Sequence, residues 1–135
     1  MALLIDTSSS ITVERRGVPL AEAFRELQGE ELALSAITVS ELLVGVHRAG
    51  SGRRQVERAA FVEDIIDKLP VLSIDREVAR IHAHIGAELA SVGIAIGAHD
   101  LLIGATAIAH NATIVTENLR DFERIRGLRV FRPEW

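Results

Sequence analysis

A chain of 135 residues, 48% hydrophobic and 25% charged, is long enough to bury one sizeable core and too apolar to remain disordered. Its formal net charge of -4 gives no basic field that would advertise nucleic acid. The lack of cysteine excludes disulfides and thiolate metal sites, so a reducing, cytoplasmic setting is expected.

The opening A-L-L-I, followed by Asp6 and T-S-S-S, predicts a buried strand over 2–5 and then a helix whose start is capped by the hydroxyls. The acid at position 6 also interrupts any signal-like apolar run. Pro19 opens a helical pattern with Leu20, Ala23, Phe24 and Leu27 at three-four spacing. A second strand is predicted over 32–37. T-V-S-E-L-L-V-G-V-H then starts a helix, with Thr38 as cap and Glu41 three residues on, the spacing of a capping box. Gly50 and Gly52 break it. Residues 53–68 are amphipathic and end before Pro70, and 71–74 make a third strand. Asp75 caps the next helix, whose Val78, Ile81, Ile85 and Leu89 form one apolar stripe before Gly93.

The stretch 96–109, I-G-A-H-D-L-L-I-G-A-T-A-I-A, predicts a buried helix whose Gly104, Ala105 and Ala107 suit close packing on a sheet. A membrane span over 92–109 is disfavoured, because His99 and Asp100 stand in its middle and a charge there costs ~2.5–3.5 kcal/mol. Strands over 113–115 and 128–131 complete the pattern, with T-E-N-L-R-D-F following the first of these. No repeat, low-complexity tract or linker interrupts it, so a single domain over 1–135 is expected. Short apolar strands alternating with helices imply an α/β fold, a mostly parallel sheet of four or five strands covered on both faces.

Ligands of such sheets bind at the carboxyl ends of the strands, and four acids fall there. Asp6 follows the first strand, Glu41 lies in the first turn after the second, Asp100 lies near the start of the helix opened by Gly97, and Asp121 follows the fourth strand. Three of them have ordinary alternatives. Asp6 could cap a helix, Glu41 could complete the capping box with Thr38, and Asp121 could pair with an arginine. Asp100 is harder to explain away, since its neighbours are Ala98, His99, Leu101 and Leu102, and His99 projects about 100° away on a helix. A buried carboxylate needs a cation or several donors. With three more acids on the same edge, a bound cation is the economical solution. Oxygen-only ligands favour Mg²⁺ or Mn²⁺ over zinc, and His82 and His84, two apart on a helix, do not build a zinc site. Carboxylates around such an ion suit phosphate chemistry, where the ion activates water and screens charge developing on oxygen.

The motifs L-L-I-D-T-S-S, S-A-I-T-V-S-E-L-L-V-G, A-H-D-L-L-I-G-A-T-A-I-A-H and T-I-V-T-E-N-L-R-D-F, in this order across essentially the whole chain, resemble the PIN-domain ribonucleases. Within that family they resemble the VapC-type toxins of toxin–antitoxin pairs. The resemblance implies a three-layer α/β/α PIN-like domain and a Mg²⁺- or Mn²⁺-dependent endoribonuclease, usually a homodimer, inhibited by a cognate VapB-like antitoxin. It carries the family's acidic tetrad onto Asp6, Glu41, Asp100 and Asp121, as metal ligands and catalytic residues. Thr7, Ser8 and Thr116 match polar positions that support the metal shell or a phosphate, and Asn118 a supporting ligand. The last motif offers Glu117, Asn118 and Asp121 close together, and Asp121 is taken as the fourth acid.

Four clustered acids account for the whole of the net charge, so RNA would need the bound metal plus arginines near the groove, with Arg15, Arg16, Arg53, Arg54 and Arg120 as candidates. Other acid-bearing folds fit less well. The only lysine, Lys68, ends a helix, where a phosphoaspartate receiver needs one at a strand end. Ser8 stands where an aspartyl-nucleophile phosphatase would carry its second acid, and no glycine fingerprint follows the first strand. A DNA or flap nuclease, or a degenerate binding-only PIN domain, remains the alternative.

Overall fold

In a computed structural model that describes residues 2–27 and 29–134, the chain forms five strands and seven helices. They are β1 (Ala2–Ile5), α1 (Thr7–Arg16), α2 (Leu20–Ala23, continued by a 3₁₀ turn Phe24–Leu27), β2 (Glu31–Ser35), α3 (Ala36–Arg48), α4 (Arg53–Lys68), β3 (Val71–Leu72), α5 (Arg76–Ser91), α6 (Ala98–Ala109), β4 (Thr113–Val115), α7 (Leu119–Phe122) and β5 (Arg129–Phe131). The sheet runs β3-β2-β1-β4-β5 and every pairing is parallel. The expected α/β architecture is therefore met with five strands.

The apolar runs alternate sides, as pleated strands must. Leu3 and Ile5 of β1 join Leu34 and Val115 in a core closed by Val13 of α1, Leu20 and Ala23 of α2, Leu42 of α3 and Val62 and Ile65 of α4. Leu4 and Ile114 face the other way, into a core closed by α5, α6 and α7 through Val78, Ile85, Ile103 and Phe122. Two buried faces explain why the strands read as unbroken apolar runs. No helix of the described residues is long and apolar enough to cross a membrane.

Several expected boundaries move, each for a local reason. The second strand stops at Ser35, whose hydroxyl accepts from the Ile37 amide at 3.3 Å, so Ala36 and Ile37 are helical and Ser35, not Thr38, is the cap of α3. Glu41 consequently sits in the second turn, outside any capping box. The third strand ends at Leu72 because its partner β2 ends at Ser35, leaving residues beyond without a ladder. T-S-S-S lies inside α1, with Asp6 at the cap position making no side-chain cap bond. The cap of α5 is as expected, Asp75 accepting from the Val78 amide at 3.0 Å. At Gly104 a Cβ would stand 2.7 Å from Ile125 Cδ1, so the closest approach of α6 at that residue is to the segment entering β5.

Thr38 is fully buried in the first turn of α3, and its hydroxyl has no hydrogen-bond partner among the described residues. Thr38→Val keeps shape and β-branching while removing an unsatisfied polar atom, and should raise stability by about 1 kcal/mol in a denaturant melt. A loss of stability would mean that the hydroxyl has a native partner.

Candidate active site

The sheet register decides which distant residues meet. Ile5 pairs with Val115, and the Asp6 amide continues the ladder by donating to the Val115 carbonyl at 2.9 Å. Asp6 and Thr116, 110 residues apart, are thus the first residues beyond two adjacent strands, and Thr116 Oγ1 donates to Asp6 Oδ2 at 2.8 Å. Ser8, in the first turn of α1, donates to the same oxygen at 2.9 Å. Each hydroxyl has one hydrogen. With both spent on Asp6, each also accepts a backbone amide: Glu117 N to Ser8 Oγ at 3.0 Å, and Asn118 N to Thr116 Oγ1 at 2.9 Å. The two hydroxyls therefore lock the loop after β4 onto the start of α1.

Glu41 reaches the same edge from α3. Thr7 Oγ1 donates to its Oε1 at 2.7 Å, and His99 Nδ1 lies 3.3 Å from its Oε2. Asp100 stands in the first turn of α6 and Asp121 in α7. The Asn118 side-chain amide bridges them, 3.1 Å from Asp100 Oδ2 and 3.3 Å from Asp121 Oδ2. The four acids come from four separate elements, and each of Thr7, Ser8, Thr116 and Asn118 touches at least one of them.

Electrostatics couple the set. Burial is the main cause pushing the Asp6 carboxyl above its usual range, opposed by the hydrogen bonds of Thr116, Ser8 and the Thr7 backbone, with Glu41 adding repulsion. Asp100 is pushed up to about 6, first by burial and then by the charges of Asp6, Glu41 and Asp121, with Asn118 opposing. Charges that act on Asp6 and Asp100 in this way lie within electrostatic range of one small region. As the side chains stand, no three acids or histidines among the described residues converge at metal-bonding distance. Thr7 and His99 hold one acid, Asn118 two others. The donor chemistry nevertheless fits a hard divalent ion: oxygen ligands, clustered negative charge, and one partly buried acid whose ionisation would be favoured by a cation.

Two contacts were not foreseen from the sequence. His99 projects away from Asp100 as expected, but onto Glu41, 58 residues distant. Glu117, a rival for the fourth acid, is turned to Arg132, whose Nε donates to its Oε2 at 2.9 Å. No linear spacing signals either, because both depend on the register of separate elements.

The model of the PIN domain family matches residues 3–128. Among similar proteins, "Ribonuclease VapC1" of Rickettsia felis is 37% identical over 130 residues, covering 96% of this chain and 95% of the relative. The "tRNA(fMet)-specific endonuclease VapC" of Salmonella typhimurium is 34% identical, covering 96% of each. Among solved structures, DNA-bound VapBC from Salmonella typhimurium superimposes with a TM-score of 0.82 at 31% identity, covering 98% of each chain. VapBC2 of Rickettsia felis bound to a promoter DNA fragment superimposes with a TM-score of 0.84 at 26% identity, covering 99% of this chain and 100% of that one.

Proposed function

The chain belongs to the PIN-domain family, and from that premise we propose that it is the VapC-like toxin of a toxin–antitoxin pair, an endoribonuclease whose divalent cation is held by Asp6, Glu41, Asp100 and Asp121. What supports the reading is the gathering of four carboxylates from four elements at the carboxyl ends of the sheet, close enough that three of them raise the fourth. When bound, Mg²⁺ or Mn²⁺ would neutralise this charge and activate water for attack on a phosphodiester. The chain's own part is positioning. Ser8 and Thr116 aim the Asp6 carboxylate, Thr7 and His99 orient Glu41, and Asn118 spaces Asp100 from Asp121. Solved structures that this chain resembles include VapBC complexes, so the proposed protein partner is a VapB-like antitoxin.

The purified chain should cleave single-stranded RNA or a tRNA in Mg²⁺ or Mn²⁺, and chelation by EDTA should stop cleavage until the ion is restored. tRNA belongs in the panel because two relatives are named for tRNA(fMet). Cleavage that persists undiminished in EDTA would refute the metal assignment, and cleavage confined to DNA would refute the ribonuclease. Co-expression with the product of a small neighbouring reading frame should suppress the activity.

A further inference from the structure

The helix that supports Asp6 also lines a groove leading away from it. Ser8, Thr12 and Arg16 lie four residues apart on α1 and so share one face. Thr12 Oγ1 donates to the Ser8 carbonyl at 3.1 Å, and Arg16 stands exposed at the helix end. Opposite runs the chain after β5, and the open groove between them is lined by Thr12, Arg16, Glu117, Arg132, Pro133 and Glu134. It abuts the acid cluster, because the Glu117 amide is hydrogen-bonded to Ser8, the residue that holds Asp6.

The cations of this groove have donors to spare. Arg132 neutralises Glu117 through Nε alone, leaving its other N–H groups without partners among the described residues. Arg16 makes no hydrogen bond or ion pair among the described residues. In a second groove, lined by Glu14, Arg54, Glu57 and Arg58 among others, Arg58 is clamped on Glu14 by two hydrogen bonds of 3.1 and 2.7 Å. Arg54 there is without a partner among the described residues but has no hydrogen-bonded link to the acid cluster through that groove.

We propose that Arg16 and Arg132 form a phosphate subsite that seats the RNA backbone beside the scissile bond. The proposal rests on the nuclease reading above. A strand approaching four carboxylates in a chain of net charge -4 meets repulsion that the bound ion offsets in the cluster itself, and cations flanking the acids would draw in the backbone on either side. Guanidinium forks match phosphate oxygens in pairs, and these two line one groove, together with Glu117 and Glu134, that is tied to Asp6 through the Glu117 amide and Ser8. Of the arginines singled out in the sequence, Arg16 is the one that lines this groove, while Arg53 is paired with Glu57.

The test is steady-state cleavage of a labelled single-stranded RNA by the full chain in Mg²⁺ over a range of KCl concentrations. Arg16→Gln and Arg132→Gln should each raise KM about fivefold with kcat within about twofold. The plot of log(kcat/KM) against log[salt] should become shallower by about 0.7 for each lost contact. Arg132→Lys, which keeps the charge, should retain the parent slope. Arg126→Gln, on a residue paired with Glu88 elsewhere on the surface, should change neither quantity. Unchanged KM and slope in both glutamine variants would overturn the subsite, as would a loss confined to kcat. Adding Glu117→Gln to Arg132→Gln should leave KM raised. Full recovery would overturn the role of Arg132, which would then only mask Glu117. A parent chain that cleaves no RNA overturns the nuclease reading and the subsite together, a failure seen before any variant is compared.

Discussion

Asp100→Asn should abolish RNA cleavage, by at least about 10²–10³-fold, and at the same time make the metal-free protein more stable at pH 8. Both effects have one origin. Asp100 is the acid on which the charges of the other three act, so removing its charge removes a proposed ligand and also relieves repulsion. The amide keeps an oxygen that can accept from Asn118, so the local geometry survives. The sign of the pH dependence follows from the direction of the shift. Asp100 titrates near 6 in the folded chain against 3.8 in the unfolded one, so folding takes up a proton. Its stabilising contribution is complete below pH about 4 and disappears as pH rises through about 6. The shift corresponds to about 3 kcal/mol, which solvent screening of a partly exposed carboxylate reduces to about 1–2 kcal/mol. Parent and variant should therefore melt together near pH 4 and apart by several degrees at pH 8 without metal, the variant higher. Added Mg²⁺ should raise the melting temperature of the parent more than that of the variant. Equal cleavage by both proteins would remove Asp100 from the site, and identical melting at pH 8 would remove the repulsion.

Thr116→Val should lower activity at neutral pH by about 10–100-fold without removing any carboxylate. Thr116 is fully buried, donates to Asp6 and accepts the Asn118 amide, so valine takes one of the two hydroxyl donors from Asp6 and releases the loop that positions Asn118. Both losses disfavour the competent state. The hydrogen bond from Thr116 is the largest influence holding the Asp6 pKa down against burial, so its loss pushes that pKa further up. The acidic limb of the pH–rate profile should consequently move to higher pH, and raising the pH or the Mg²⁺ concentration should recover part of the lost rate. Thr116→Ser, which restores the hydroxyl, should return the profile to that of the parent. A uniform fall in rate across all pH values would mean that Thr116 acts through packing alone.

The extent to which the site was legible from the chain differs between its parts. Asp100 was conspicuous because a charge in an apolar helix is costly wherever that helix packs. Asp6 was placed by the end of an apolar run, and the supporting Thr7, Ser8, Thr116 and Asn118 each touch an acid. Glu41 was located in the right segment but assigned to the wrong turn, since Ser35 rather than Thr38 caps the helix. Among Glu117, Asn118 and Asp121, Asp121 is taken as the fourth acid from the sequence; in the structure Arg132 pairs with Glu117 while Asn118 bridges Asp100 and Asp121.

By itself the sequence determined the class of the fold, the helices from Arg53 to Lys68 and from Arg76 to Ser91, the family, and the segments that carry the acids. These are properties of local pattern, where burial, spacing and capping act within a few residues. The strand order, the meeting of Asp6 with Thr116, the turn of His99 onto Glu41 and the groove between α1 and the chain after β5 were decided only by the tertiary structure. They depend on register between elements 58 to 110 residues apart, and a parallel sheet sets that register through the packing of both its faces rather than through any one segment.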